Sequence, residues 1–270
     1  MKSYQEMDEE QSWRNFEDKA RRGIVDMKLD KVKKGVNRRE FLMALGIFGL
    51  SGKVLSDILI KEYNKHLINR IYNELPKHTH LAETKGKWDN NGVEKIGYGI
   101  IYKNHYFTQF HITDTFTMQS FMGNLRQNMD ESETRLYGKK LERIAQDEET
   151  DVSIFKLPTD LSLPDFPCKP SEDVYLGQDV YLIGHPQLEN LSIRGGKVID
   201  LNGWDKISLK SKTLAAKVSA FLGTDISSIG GDSGAPLVSS DFKLLGMHSY
   251  GYFGNLGYDV RIKEYLKHIK

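Results

Sequence analysis

Gly230-Gly231-Asp232-Ser233-Gly234-Ala235-Pro236-Leu237 is the stretch on which the reading of this chain turns. A serine set between glycines suits a tight backbone turn in which its own N–H and that of Gly231 point at one spot. Gly, Asp and Ser are also the residues of ordinary turns, so the string alone leaves both readings open. The run Ala235-Pro236-Leu237-Val238 that follows feeds a strand. It favours Ser233 as a nucleophile, with the amides of Gly231 and Ser233 as an oxyanion hole.

A serine hydroxyl is a poor nucleophile without a base and a carboxylate that orients the base. Upstream, Gly97-Tyr98-Gly99-Ile100-Ile101 opens a strand, the chain turns at Lys103-Asn104, and the run Tyr106–Thr113 puts His111 at the end of the next strand. Thr150-Asp151-Val152-Ser153-Ile154-Phe155 places a carboxylate just before an alternating strand. The candidate catalytic residues are therefore His111, Asp151 and Ser233, in that chain order. An α/β-hydrolase arrangement is disfavoured, because there the acid and the histidine follow the nucleophile.

Outward from these motifs, short runs rich in Ile, Val, Tyr and Phe continue from Ile96, separated by Gly, Asn, Asp and Pro. They read as Tyr98–Tyr102, Tyr106–Ile112, Val152–Leu157, Val180–Ile183, Lys197–Leu201, Ala235–Val238 and Leu244–His248, which argues for an all-β class. Residues 115–150 are the least strand-like part and read as a long connection with some helix. From Val54 to Leu75, apolar residues recur every three or four positions, one face of a helix that Pro76 ends. His78-Thr79-His80 reads as an exposed linker rather than a metal site, and Lys263–Ile269 as a terminal helix. His185 before Pro186 reads as turn-shaping, Cys168 has no assigned role, and His66, His105 and His268 read as surface residues.

The chain has 270 residues, 38 Lys+Arg against 37 Asp+Glu, and a formal net charge of +1, so no chain-wide nucleic-acid footprint is expected. A hydrophobic fraction of 39% is enough to fill a core. The single cysteine forms no intramolecular disulfide and no Cys-based zinc site. The best apolar stretch, Phe41–Ile60, is interrupted by Lys53 and Asp57, which excludes a polytopic membrane protein. The chain reads as three parts: a charged extension over 1–40, an apolar and helical segment over 41–80, and a β domain over 81–270. Arg38-Arg39-Glu40-Phe41-Leu42, followed by a short apolar run, is similar to the twin-arginine export signal. It reads equally as an amphipathic helix behind an arginine pair. In the first case residues 38–60 contact a membrane or the export machinery and the protein is exported or membrane-associated; in the second it is cytoplasmic.

The whole pattern resembles the chymotrypsin-fold serine proteases, closest to the trypsin-like, HtrA-type group. Gly97-x-Gly99-Ile100-Ile101 with Phe107-Thr108-x-x-His111, Asp151-Val152-Ser153-Ile154-Phe155-Lys156, Val180–Pro186, Thr224-Asp225 through Pro236, and Leu245-Gly246-Met247-His248 follow that group's motifs in order. The resemblance implies two six-stranded β-barrels with the triad between them, and hydrolysis of polypeptide substrates through an acyl-enzyme, with no cofactor and no metal. It also implies an alternative, a catalytically silent module that binds a partner through the same cleft. Ala235 stands for a family glycine, and Gln109-Phe110 for small residues usual before the histidine. Too little chain follows the last strand for the PDZ domain of HtrA proteins, so sensing through one is not expected. Asp232 either pairs with a freed amine, as in the chymotrypsin family, or hydrogen-bonds locally.

By the same resemblance Ser227, Ser228, His248, Ser249, Tyr250 and Gly251 line the substrate pocket. A histidine there paired with a hydroxyl residue is similar to glutamyl endopeptidases and implies Glu or Gln before the scissile bond (P1). The alternative is a core histidine beside a pocket for small apolar residues.

Overall fold

The computed structural model describes residues 65–88, 91–120, 123–129, 131–185, 190–202, 218–252 and 256–269. The charged extension, the arginine pair and the first part of the expected Val54–Leu75 helix lie outside them. By its internal contacts the chain divides into Met1–Leu67 and Ile68–Lys270, and the strands among the described residues all belong to the second unit. That unit begins in a helical stretch that runs to residue 73 and buries Ile71, followed by a 3-10 turn, Leu75–His78, that buries Leu75 and has Pro76 in its first turn.

Strands β1 (Thr79–Trp88), β2 (Asn91–Tyr102) and β3 (His105–Gln109) form an antiparallel meander. The one-turn helix α1 (Phe110–Thr113) follows, then a separate hairpin of β4 (Thr115–Ser120) and β5 (Gly123–Asn128). Strands β6 (Glu131–Leu136), β7 (Lys139–Lys140), β8 (Glu142–Asp147) and β9 (Val152–Lys156) complete the first sheet in the order β7-β6-β1-β2-β3-β9-β8. Its inner face is the cluster of Ala82, Ile101, Tyr106, Leu136, Leu141, Phe155 and Leu157.

The second sheet holds β10 (Lys169–Pro170), β11 (Asp179–Gly184), β12 (Ser192–Asp200), β13 (Phe221–Thr224), β14 (Pro236–Ser239), β15 (Lys243–Tyr252) and β16 (Leu256–Arg261). Its order is β10-β15-β14-β11-β12-β13-β16, and an additional β15–β16 pairing closes six of these strands into a barrel. Closure leaves those strands no unpaired edge. The interior is apolar: Val180, Leu182, Val198, Leu222, Ile226, Ala235, Leu237 and Leu245. The short helix α2 (Ile262–Leu266) overlaps the expected Lys263–Ile269 helix but stops three residues short of its end.

Two expectations change. Residues 115–150 are mostly strand, not a connection with helix. In β6 only Thr134 and Leu136 are buried, and β8 alternates exposed and half-buried positions with none fully buried, so the period-2 apolar signal is nearly absent there. His78-Thr79-His80 is not an exposed linker, because His80 lies on β1, buried, with Nδ1 hydrogen-bonded to the Tyr137 hydroxyl at 3.0 Å. Burial, and then the charge of His78, push the His80 imidazole pKa down to about 4. β1 itself escaped the sequence reading because its inward positions are His80, Ala82 and Thr84, the last bonded across the sheet to Thr134 at 3.1 Å.

Candidate active site

His111 sits on α1, one turn of helix beyond the strand end on which the sequence placed it. That turn is pinned to the strand beside it: Phe110 N–H donates to the Asp151 carbonyl at 3.1 Å and His111 N–H to Asp151 Oδ1 at 2.8 Å. Asp151, at the mouth of β9, is fully buried and has φ of +56°, a left-handed conformation that Asp tolerates better than most side chains. Its Oδ2 accepts from His111 Nδ1 at 2.8 Å. A carboxylate only accepts, so Nδ1 carries the proton and Nε2 presents its lone pair. Ser233 Oγ lies 2.8 Å from that Nε2 and donates to it. The structure thus brings together all three residues singled out as a triad.

The turn around the nucleophile has the features expected of an oxyanion hole. Gly231 has φ of +101° and Gly234 of +85°. A Cβ at Gly234 would stand 1.7 Å from the Tyr98 carbonyl oxygen, so the backbone approaches as only glycine permits. The N–H groups of Asp232, Gly234 and Ala235 donate to Ile229, His248 and Asp232 carbonyls. Among the described residues no partner is taken by the N–H of Gly231 or Ser233.

The Asp232 alternatives resolve onto a partner the sequence reading did not name. Its buried carboxylate meets Arg194 of β12, Nη2 to Oδ1 at 2.5 Å, and its Oδ2 accepts from Ile229 N–H at 2.9 Å. Arg194 Nη1 also donates to the Ser227 carbonyl at 2.7 Å, bracing the loop from both ends. Gly184 makes room, since a Cβ there would stand 2.3 Å from Asp232 Oδ1 and 2.7 Å from Arg194 Nη2.

The expected pocket residues divide. Ser228 is buried and its Oγ has no partner among the described residues, while Gly251 packs against it, its absent Cβ 2.5 Å from that Oγ. His248 is buried, and Nδ1 donates to Asp259 Oδ1 on β16 at 3.1 Å. Asp259, which the sequence reading missed together with its strand, accepts a second bond from Thr224 Oγ1 at 3.1 Å. Ser227 is exposed and contributes its carbonyl to Arg194. The Tyr250 ring stacks on the His111 imidazole at 5.2 Å.

Ser249, which the resemblance placed on the pocket wall, donates its hydroxyl to Asp151 Oδ2. The β15–β16 register shifts between His248 and Tyr250, making Ser249 a bulge residue. His185 stacks on Tyr98 at 4.2 Å, and Cys168 is buried, its thiol pKa pushed up by burial.

A family model described as the trypsin-like peptidase domain matches residues 97–247, more than half the chain. The chain belongs to that family. Within it, this chain is 32% identical over 120 residues to a protein described as a probable periplasmic serine endoprotease, DegP-like, of Halomonas elongata. That match covers 44% of this chain and 23% of the relative, so the chain spans about a quarter of that relative's length. Among solved structures, the HtrA-type protease AlgW with tripeptide superposes with a TM-score of 0.50 at 18% identity, over 74% of this chain and 61% of that one. The Rv3671c protease from M. tuberculosis, active form, does so with 0.51 at 16% identity, over 74% and 82%. At such identities the likeness is one of fold, the two-barrel chymotrypsin architecture.

Proposed function

We propose that this peptidase is a serine endopeptidase that hydrolyses polypeptides through His111, Asp151 and Ser233. The observation that carries the reading is the line from Asp151 Oδ2 through His111 to Ser233 Oγ, each step 2.8 Å, beside two amides that have no partner among the described residues. In the reaction Ser233 Oγ attacks the scissile carbonyl while His111 Nε2 takes its proton. The amides of Gly231 and Ser233 receive the oxyanion, where one donor is typically worth about 2.7–4 kcal/mol. Collapse of the tetrahedral species expels the amine, which takes the proton back from Nε2. Water, deprotonated by the same nitrogen, then releases the acyl group and restores Ser233. Asp151 holds the tautomer and faces the imidazolium formed on the way.

The preference for Glu or Gln at P1 rests on His248, oriented by Asp259, and on Ser228 Oγ, which is buried without a partner among the described residues and suits a substrate oxygen. An exported or membrane-associated location through residues 38–60 belongs to the same reading, supported by Arg38-Arg39 and by the relative described as periplasmic.

The test is cleavage of fluorogenic peptides with Glu, Gln, Ala, Val and Lys at P1 by the full chain, its Ser233→Ala variant and its His248→Ala variant. Cleavage abolished in Ser233→Ala and strongest after Glu or Gln supports both levels of the proposal. A P1 profile that His248→Ala leaves unchanged removes the pocket reading and favours small apolar residues. Equal cleavage by wild type and Ser233→Ala removes Ser233 from the mechanism, and silence on every peptide favours a binding module.

A further inference from the structure

Gln109 stands where the resemblance expected a small residue, and the structure gives it a contact set that the triad does not explain. It is the last residue of β3, two positions before His111, and is completely buried. Its side-chain amide spends both N–H groups on the other barrel: Nε2 donates to the Met247 carbonyl at 3.0 Å and to the His248 carbonyl at 2.7 Å, both on β15. Its Oε1 accepts from the hydroxyl of Tyr265 on α2, itself fully buried and stacked on Phe107 of β3 at 5.2 Å. Burial keeps the Tyr265 hydroxyl protonated, its pKa raised well above the usual value with the nearby Asp151 charge adding to the effect. With the amide turned the other way its oxygen would face two carbonyl oxygens, so a single orientation satisfies every group.

The segment it grips is the one that serves the site. The His248 carbonyl also accepts from Gly234 N–H at 2.9 Å, next to the nucleophile. Ser249, the following residue, donates to Asp151. His111 and Asp151 come from the first sheet and Ser233 from the second, so the His111–Ser233 contact depends on how the sheets are registered. We propose that Gln109, held by Tyr265, is a positioning residue that fixes this register and thereby the rate of the chemical step. The proposal rests on the endopeptidase reading above.

The experiment compares the full chain with Gln109→Met, which keeps volume and removes both donors and the acceptor, with Tyr265→Phe, which keeps the stacked ring, and with the double variant. Val198→Ala, in the core of the second barrel, is the control for lost stability without lost register. A misplacement of about 1 Å at a reacting pair costs about 100-fold. The expected result is a fall of that order in kcat for Gln109→Met with KM within about 3-fold, and a smaller fall for Tyr265→Phe that disappears in the Gln109→Met background. Val198→Ala, assayed below its melting point, should keep wild-type kcat. Unchanged kcat in Gln109→Met, or an equal fall in Val198→Ala, overturns the proposal while leaving the endopeptidase reading intact. If Gln109→Met does not fold, Tyr265→Phe decides alone, an unchanged kcat overturning the proposal. Absence of Ser233-dependent cleavage in the wild type overturns the endopeptidase reading, and the proposal with it.

Discussion

Replacing Arg194 by Met removes the guanidinium that faces the Asp232 carboxylate while keeping most of the side-chain volume. Asp232 is fully buried and the Arg194 side chain is 21% exposed, so the pair is largely shielded from water. Deleting one partner of a buried pair typically costs about 3–5 kcal/mol, because the other charge is left uncompensated. Asp232 keeps the Ile229 N–H, and Arg194 reaches solvent at its edge, which places the expected loss near the lower end, about 3 kcal/mol. The rate should fall too, since the same guanidinium braces the Ser227 carbonyl and hence the loop carrying the Gly231 and Ser233 amides. Displacing one oxyanion donor lowers kcat by about 10²–10³. Urea unfolding and steady-state kinetics of Arg194→Met read both numbers, and the substitution repeated in Asp232→Asn, where no buried anion remains, should cost less than about 1 kcal/mol. The full chain, shown uncut by mass spectrometry, should already be active, because a side chain supplies the cation that a freed amine would otherwise bring. A stability loss under about 1 kcal/mol with kcat/KM within about 3-fold would refute the idea that this pair holds the loop.

Gly234→Ala should fall in the exceptional class of single substitutions, above roughly 4 kcal/mol, because the added carbon would meet the Tyr98 carbonyl at 1.7 Å and the backbone sits at positive φ; a urea midpoint near wild type would contradict this. Ser249→Ala removes one donor from the buried Asp151, which keeps two from His111, so kcat/KM should drop by about 10-fold with the fold intact. Steady-state kinetics beside circular dichroism check this, and an unchanged kcat/KM would count against it. His80 titrates at about 4 in the folded chain, below its ordinary value, so the unfolded chain binds its proton first. The stability it contributes is complete above about pH 6.5 and is lost as pH falls toward 4. Melting curves of wild type minus His80→Gln should show that loss in this window, and a difference that stays flat with pH would dispose of it.

The triad was legible because each member sits inside a short string whose local grammar is strong: a Gly-rich turn before a strand, and a histidine and an acid at strand boundaries. The surrounding support was not legible, because its partners meet only in three dimensions. Arg194 and Asp232 are 38 positions apart and Tyr265 and Gln109 are 156 apart, and no local pattern marks either pair. Gln109 stood out only as a departure from small residues, without its partners. The bond from Ser249 to Asp151 was not legible either, because a bulge is visible only in the register. The strands over 115–150 and β1 were lost for a different reason. In β1 and β6 the buried positions carry Thr, Ala and His more often than large apolar groups, so periodicity had little to act on.

These features bear on how the molecule divides stability from activity. Each barrel has its own apolar cluster, and the two clusters share no residue. Among the described residues, a set of hydrogen bonds ties the sheets together around the site, beside the Tyr250–His111 and His185–Tyr98 ring stacks: Tyr98 N–H to the Ser233 carbonyl at 3.2 Å, Gln109 to Met247 and His248, Ser249 to Asp151, and His111 to Ser233. Apolar packing is non-directional, whereas a hydrogen bond weakens steeply once its angle or length departs from the optimum. Core substitutions such as Val198→Ala should therefore lower the melting point with little effect on kcat. Substitutions in the polar seam should lower kcat by more than their stability loss explains.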